Sequence, residues 1–386
     1  MARKIKDNVF FLNATDWNRR LFDSLIPLPD GTSYNAYLIR GSDKTVLIDT
    51  VDPAMADTLS AFLEDVEKLD FIVSLHSEQD HSGCIPLVLE KYPDAKVITS
   101  SKGKDLLISH LSLPEEKITT AEDGEELSLG DKTLKFIYFP WVHWPETMLA
   151  YLKEDKILFT CDLFGSHLAT TDMYVSDECQ VYEAAKRYYA EIMMPFRNFI
   201  KKNISKVEEL DIDIIAPSHG PMYDKPEFIV DAYRDWISDE TKNTVVIPYI
   251  SMHGSVEKMV DHFVSALEHR GVQAFKFDLT VTDIGKLAIS LVDAAAIVAG
   301  TPTLQADPHP LVSYAVRLAN MLKPKTKYVS VLASYGWGGK AIERITEMIP
   351  NIKAELIEPV LVKGYPKEDD LKSVERLADE IASKFA

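Results

Sequence analysis

The hexapeptide His76-Ser77-Glu78-Gln79-Asp80-His81 puts four metal-ligand side chains into six residues. It follows Asp70-Phe71-Ile72-Val73-Ser74-Leu75, an apolar, β-branched run that reads as a buried strand ending at His76. If the extended geometry continues, His76, Glu78 and Asp80 project to one side, because side chains alternate along a strand. Helix-favouring sequence resumes over residues 85–91, which puts His81 at a strand-to-helix turn beside them. Imidazoles and carboxylates this close repel and desolvate one another unless a cation compensates. A metal is the economical explanation, and a solvated polar turn is the alternative.

Length and charge bound what surrounds the hexapeptide. At 386 residues the chain exceeds one typical domain, and two or three are expected. Hydrophobic residues make up 46% and charged residues 26%, ordinary values for a globular protein with a real core. A net charge of -18 argues against a nucleic-acid partner, since binding a phosphate backbone takes a basic face. Met1-Ala2-Arg3-Lys4-Ile5-Lys6-Asp7 starts basic with no apolar stretch behind it. Neither a signal peptide nor a membrane span is expected, and a cytoplasmic location follows as the default. Cys84, Cys161 and Cys179 form no CxxC pair and are odd in number. Reduced thiols are expected, rather than disulfides, zinc ligands or iron–sulfur ligands.

Upstream of the hexapeptide, residues 9–12, 34–39 and 45–48 read as short strands of an antiparallel or mixed sheet, covered by a helix over 55–69. Downstream, strands are expected at 95–99, 134–139 and 157–160, with a helix at 102–110. Three more ligand candidates each lie just past a strand-like run. His143 sits in Trp141-Val142-His143-Trp144-Pro145-Glu146-Thr147, Asp162 follows Ile157-Leu158-Phe159-Thr160-Cys161, and His219 follows Ile214-Ile215-Ala216-Pro217-Ser218. Neighbouring strand ends converge, so residues distant in sequence can line one cleft. Singly each has a plainer reading: a packed core His143, a capping Asp162, a turn His219. Together with the hexapeptide they form a candidate cluster.

The spacing His76-x-Glu78-x-Asp80-His81, then His143, Asp162 and His219, resembles the metallo-β-lactamase-like domain of flavodiiron proteins, over the whole length of the chain. Hydrolases of that superfamily usually have HxHxDH and bind zinc; here the second position is Glu78. The resemblance implies one iron held by His76, Glu78 and His143, another by Asp80, His81 and His219, and Asp162 bridging them. Four imidazoles, three carboxylates and no thiolate suit iron better than a thiolate-seeking metal. The family usually places a His or Tyr near the metals before the run Thr32-Ser33-Tyr34-Asn35-Ala36-Tyr37; here the nearest comparable residue is Asp23. His167, in Phe164-Gly165-Ser166-His167, resembles a family position that orients a ligand or delivers a proton.

Past the polar run Asp239-Glu240-Thr241-Lys242-Asn243 the rhythm changes. Strands at 244–250, 272–279, 294–299, 327–332 and 353–357 alternate with helices at 256–268, 311–322, 341–348 and a closing helix to residue 385, which reads as a doubly wound parallel sheet. The resemblance implies an N-terminal metallo-β-lactamase-like αββα sandwich over residues 1–242, followed by a flavodoxin-like domain over 243–386. The first turn of the second part, Ser251-Met252-His253-Gly254-Ser255-Val256, feeds a helix N-terminus. Its backbone N–H groups and hydroxyls can hold a phosphate without Lys or Arg. It looks like a flavodoxin phosphate loop and fails as a Walker A loop. Two later turns, Gly300-Thr301-Pro302-Thr303-Leu304-Gln305 and Ser334-Tyr335-Gly336-Trp337-Gly338-Gly339, would wrap the FMN isoalloxazine by the same resemblance, with Trp337 packing on it. Gly336-x-Gly338-x-x-Ala341 also satisfies a permissive dinucleotide pattern, but it follows the fourth strand where that fingerprint belongs to the first βα turn. A flavodoxin-like domain without its flavin is the plainer alternative.

The resemblance implies an oxidoreductase that passes electrons from FMN to a non-haem diiron centre to reduce dioxygen to water or nitric oxide to nitrous oxide. With no CxxC pair for a fused rubredoxin, the donor is expected to be separate: rubredoxin, reduced coenzyme F420 or a reductase. A head-to-tail homodimer, or a dimer of dimers, is implied as well. The competing readings are a dinuclear metallohydrolase with a fused flavin-binding domain, against which Glu78 stands, and an electron-transfer module with structural metals.

Overall fold

The computed structural model describes residues 3–385. Met1 and Ala2 of the basic start, and Ala386 at the end of the expected second domain, lie outside the described residues. The chain divides into two compact units, Met1–Tyr189 with Phe196–Ile237, and Ser238–Ala386 with Ala190–Pro195.

In the first unit, β1 (Arg3–Lys6), β2 (Val9–Asp16), a small hairpin β3 (Leu21–Phe22) and β4 (Ile26–Pro27), β5 (Thr32–Arg40), β6 (Thr45–Ile48), β7 (Phe71–Val73), β8 (Lys96–Thr99) and β9 (Ile118–Thr120) come first. They build a seven-stranded mixed sheet, β1-β2-β5-β6-β7-β8-β9, with the hairpin apart. β1 to β6 pair antiparallel, and β6 to β9 parallel. A second sheet of β10 (Glu126–Ser128), β11 (Thr133–Tyr138), β12 (Met148–Leu152), β13 (Ile157–Cys161) and β14 (Ile214–Pro217) is antiparallel until its last pair, β13 with β14, which is parallel.

One face of each sheet meets the other. Val9, Phe11, Tyr37 and Ile48 pack with Phe136, Met148, Ala150 and Phe159 in one buried cluster. Burying each Leu, Ile or Phe there contributes about 1.5–3 kcal/mol. The outer face of the first sheet packs Leu38, Leu47 and Ile72 under α1 (Ala56–Phe62) and, beyond a helical turn α2 (Gln79–Ser82), α3 (Ile85–Lys91) and α4 (Ser101–Leu111). Layers of helix, sheet and sheet follow from this, with α5 (Glu178–Tyr188), α6 (Arg197–Asn203), α7 (Ser205–Glu208) and α8 (Pro226–Ile237) completing the unit.

Three expectations for this unit need correction. The helix expected over 55–69 ends at Phe62; Leu63, Val66 and Leu69 remain buried, but tight turns continue the chain through Glu64 N–H to Ala61 O and Val66 N–H to Leu63 O. Burial, rather than helix, produced that apolar spacing. β7 stops at Val73, because the Leu75 N–H is taken by the Asp49 carboxylate at 2.7 Å instead of a neighbouring strand. The hexapeptide does not stay extended either: Glu78 begins the turn of α2, whose Ser82 N–H bonds Glu78 O at 2.9 Å.

The second unit has β15 (Lys242–Tyr249), α9 (Ser255–His269), β16 (Gln273–Asp278), α10 (Ile284–Leu291), β17 (Ala294–Leu304), β18 (Asp307–Pro308), α11 (Pro310–Leu322), β19 (Tyr328–Tyr335), α12 (Ala341–Glu347), β20 (Glu355–Leu356), β21 (Val360–Lys363) and α13 (Glu368–Phe385). The order β16-β15-β17-β19-β20, with β21 also on β19, is the 2-1-3-4-5 parallel order of flavodoxin-like folds. Its switch point lies between β15 and β17, where the crevice at the strand ends opens. α9 covers the sheet with Val256, Met259, Val260, Phe263 and Leu267, a helical stripe.

The expected turn at 300–305 differs. β17 runs on to Leu304 and folds back on β18, pairing Thr303 with Pro308, so the turn shrinks to Gln305 and Ala306, both at positive φ. The fifth strand, expected as one piece over 353–357, is two pieces split around Pro359, whose nitrogen carries no hydrogen for a ladder. α10 was not foreseen. Among the described residues no helix is long and apolar enough to cross a membrane.

Candidate metal centre

Strand ends of the first unit deliver the candidate ligands. β13 and β14 run side by side with Ile157 opposite Ile214, so Asp162 and His219, just past their ends, emerge together. His76 leaves the end of β7, Glu78 caps α2, and Asp80 and His81 sit on it; His143 comes from the loop between β11 and β12. The helical turn, not strand alternation, separates His76 and Glu78 from Asp80 and His81.

All seven converge. Ligand atoms of His76, Glu78, His143 and Asp162 lie within 4.8 Å of one another, as do those of Asp80, His81 and His219. Asp162 faces both sets: Oδ2 is 3.5 Å from His76 Nε2 and 3.3 Å from His143 Nε2, while Oδ1 is 3.2 Å from both His81 Nε2 and His219 Nε2. Glu78 Oε2 is 3.1 Å from His76 Nε2 and 3.2 Å from His143 Nε2. Asp80 is 3.3 Å from His81 Nε2 and 3.4 Å from His219 Nε2. Yet both Asp80 oxygens and Asp162 Oδ2 are buried without a hydrogen-bond partner. His76 Nε2 and Glu78 Oε2 are within hydrogen-bond distance, but the partnerless Asp80 and Asp162 oxygens, 3.3–3.5 Å from the imidazole nitrogens, are spaced as ligands around an ion about 2.1 Å from each. The set fits two cations with a shared carboxylate.

Charge points the same way. Burial works against the His76, His143 and His219 cations, but the carboxylates win: His76 is held well above its ordinary value, His143 at about 9 and His219 at about 10. Burial also works to raise Asp162, and the neighbouring imidazoles hold it well below the usual carboxylate range. Without metal, protons take the place of cations, and metal binding displaces them.

The surroundings orient the rings. His76 Nδ1 meets Glu146 Oε1 at 2.7 Å, His219 Nδ1 donates to Ser33 O at 2.8 Å, and His81 Nδ1 lies 3.8 Å from Cys161 Sγ. The Tyr188 hydroxyl donates to Asp162 Oδ1 at 2.9 Å. Glu146 and Tyr188 were not singled out from the sequence; Glu146 stands three residues past His143, the only hint available. His167 packs its ring 5.1 Å from that of His219 and bonds the Thr32 hydroxyl through Nδ1 at 2.9 Å, while Nε2 is buried without a partner. Burial and the His219 charge hold it well below its ordinary value, so it is neutral. Asp23, at positive φ in the β3–β4 turn, has its carboxyl raised by burial and by the charges of Glu78 and Asp80. None of the three cysteines forms a disulfide; Cys84 and Cys161 are buried and Cys179 is exposed.

In the second unit the loop after β15 enters α9 through Gly254, at φ 79, with no side-chain cap on the helix. Ser251 Oγ is buried without a partner, and Ser255 Oγ lies 3.1 Å from Ser334 Oγ. A phosphate fits donors arranged this way. Met252 and Trp337 stand 44% and 80% exposed, and so does Tyr365 at 60%, an aromatic after β21 that sequence reading missed. Large apolar side chains left open on these strand-end loops are a surface that a flat ring system can cover. His253, Gln305, Gly336 and Gly339 are also exposed, and Thr303, Leu304, Tyr335 and Gly338 half-buried. Val256, Thr301 and Pro302 instead turn into the core: Val256 belongs to the stripe of α9, and the Thr301 hydroxyl serves its own loop by accepting the His309 N–H.

Residues 32–220 match the family model described as ODP family beta lactamase. The chain is 36% identical over 393 residues to the nitric oxide reductase of Moorella thermoacetica, covering 99% of this chain and 98% of that protein. It is 31% identical over 402 residues to a flavo-diiron protein of Clostridium acetobutylicum, covering 100% of both. Its structure is similar to that of the rubredoxin:oxygen oxidoreductase of Desulfovibrio gigas, with a TM-score of 0.96 and 28% identity over 100% of this chain and 98% of that one.

Proposed function

The chain belongs to the flavodiiron protein family and is an oxidoreductase, and from that premise we propose which of its residues do the work. The family's FMN supplies electrons to a non-haem diiron centre that reduces dioxygen to water or nitric oxide to nitrous oxide. His76, Glu78 and His143 would hold one iron, Asp80, His81 and His219 the other, and Asp162 both. The observation that carries this is the placement of the two Asp162 oxygens, each toward a different histidine pair. His167, neutral and with a free Nε2, is suited to handle a proton beside the second set.

Ser251, Gly254 and Ser255 would cradle the FMN phosphate, and Trp337 with Tyr365 and Met252 would cover its ring; the backbone at Val256 contributes an N–H while its side chain stays in the core. We take residues 1–242 as the diiron domain and 243–386 as the FMN domain. A separate donor, rubredoxin, reduced coenzyme F420 or a reductase, would feed the flavin, and a cytoplasmic setting agrees with three unpaired cysteines. A head-to-tail homodimer would bring the FMN of one chain to the diiron centre of the other. Anaerobic turnover with each donor, offered dioxygen or nitric oxide, together with iron and flavin analysis, tests this; protein that binds chiefly zinc when expressed with ample iron would overturn it.

A further inference from the structure

We propose that Glu146 is a positioning residue of the diiron centre, holding His76 in the tautomer and orientation that present Nε2 to the ion. This rests on the diiron reading above. Glu146 Oε1 lies 2.7 Å from His76 Nδ1, and both side chains are shut off from solvent. The same oxygen accepts the Ser77 N–H at 3.0 Å. A buried carboxylate offers only lone pairs, so Nδ1 carries the hydrogen of this bond. The proton that metal binding displaces is then the one on Nε2, which faces Glu78 and Asp162.

The carboxylate cannot drift with the ring. Glu146 O accepts the Ser100 hydroxyl at 2.7 Å, and Ser100 caps α4, so the backbone of Glu146 is tied to the sheet's helical layer. His143 is three residues earlier in the same loop. One side chain thus pins the loop that bears His143 to the strand end that bears His76, the two imidazoles of a single iron set. The Nδ1 bond of His219 goes to a neutral carbonyl instead, and the contact of His81 to a thiol. An anionic acceptor makes His76 the more basic ligand, and removing such a partner typically costs 10–100-fold in metal affinity.

The test compares iron-loaded wild type, Glu146→Ala and Glu146→Gln. Release of ferrous iron to a chromophoric chelator should be about 10–100-fold faster for one of the two irons in Glu146→Ala, the other staying near wild type. Glu146→Gln keeps an oxygen able to accept both bonds and loses only the charge, so its release rate should lie between those of wild type and Glu146→Ala. In the cobalt-substituted proteins, one paramagnetically shifted, exchangeable imidazole N–H signal should vanish or move in Glu146→Ala and persist in Glu146→Gln. Unchanged release from Glu146→Ala overturns the proposal. So does equal loss of both irons with a lowered melting temperature of the metal-free protein, which is the behaviour of a general brace. Wild type that holds no iron would overturn the diiron reading and this role with it, whereas wild type with two irons beside an unaltered Glu146→Ala overturns the role alone.

Discussion

The Tyr188 hydroxyl and Asp162 Oδ1 are 2.9 Å apart, a buried hydrogen bond from the last residue of α5 to the carboxylate that faces both histidine sets. Tyr188 is fully buried, and its phenol is pushed well above its ordinary value by burial and the Asp162 charge, so it stays a donor at any working pH.

Tyr188→Phe removes that donor and nothing else of size. A hydrogen bond to a charged group contributes about 1.5–3 kcal/mol, so the metal-free protein should lose about that much in urea unfolding. The iron-loaded protein should lose less, because the ions take over the charge of Asp162, and both irons should remain bound. Equal losses with and without iron would mean that the phenol does not act through Asp162.

Glu78→His tests the carboxylate proposed to favour iron over zinc. The change removes a negative charge and a hard oxygen that sits 3.1–3.2 Å from two imidazoles. Iron content and oxidase or nitric oxide reductase turnover should fall together, by at least about tenfold in turnover, while zinc binding improves. Metal analysis of protein expressed with iron and zinc in equal supply reads this; unchanged iron and turnover would remove Glu78 from the ligand set.

Removing the metal should also reverse the pH dependence of stability. In the metal-free chain His143 at about 9 and His219 at about 10 bind protons more tightly folded than unfolded, where imidazole sits near about 6.5. Their contribution is complete below about 6.5 and is lost as pH rises through 9 to 10. Glu78 and Asp162 are depressed, so theirs is present above the ordinary carboxylate range and lost as pH falls. Chelator-treated protein should be most stable at weakly acid pH and weaken toward pH of about 10, while iron-loaded protein, whose imidazoles have already given up those protons, should not share the alkaline decline. Parallel melting curves across this range decide it, and identical alkaline behaviour of the two forms would contradict the coupling.

The proposed ligands stand out in the sequence because their chemistry is compressed: four candidate side chains in six residues, and three more each placed after an apolar run. Their grouping came from the family resemblance and not from strand alternation. Alternation put Asp80 with His76 and Glu78, and only the turn of α2, closed by Ser82 N–H to Glu78 O, moves it to the side of His81. Glu146 and Tyr188 were invisible for a different reason. Each acts on a residue 70 or 26 positions away, through a contact that no local pattern announces. The parallel sheet was readable from its rhythm, but the extension of β17 to Leu304 depends on partners β18 and β19, which a single segment does not reveal.

Trp337→Ala should loosen the flavin without emptying the site. The indole is 80% exposed and free to lie on a ring, an interaction of about 0.5–1.5 kcal/mol, or roughly 2- to 12-fold in affinity. Ser251→Asp, which sets a carboxylate against the phosphate, should abolish retention. Flavin fluorescence released on dilution measures both. Equal retention by Trp337→Ala and wild type would place the isoalloxazine elsewhere.

The proposed metal ligands end at His219 and the proposed flavin loops begin at Ser251, so each redox centre belongs to its own sheet's strand ends. Electrons must nevertheless pass between them over a short distance. A head-to-tail dimer solves this through symmetry, since a twofold axis that brings one FMN to the partner's irons forms a second, equivalent pair. Two inactive variants should therefore complement. One carries His81→Ala with Asp162→Ala and keeps its flavin loop; the other carries Ser251→Asp with Ser255→Asp and keeps its metal ligands. Co-expressed with different tags and purified as the mixed dimer, they contain one FMN and one diiron centre on different chains. Transfer across the dimer predicts up to half of the wild-type turnover per dimer, because one of the two electron paths is whole. Each variant alone should be inactive, and a mixed dimer that holds one FMN and two irons yet shows no turnover would rule the arrangement out.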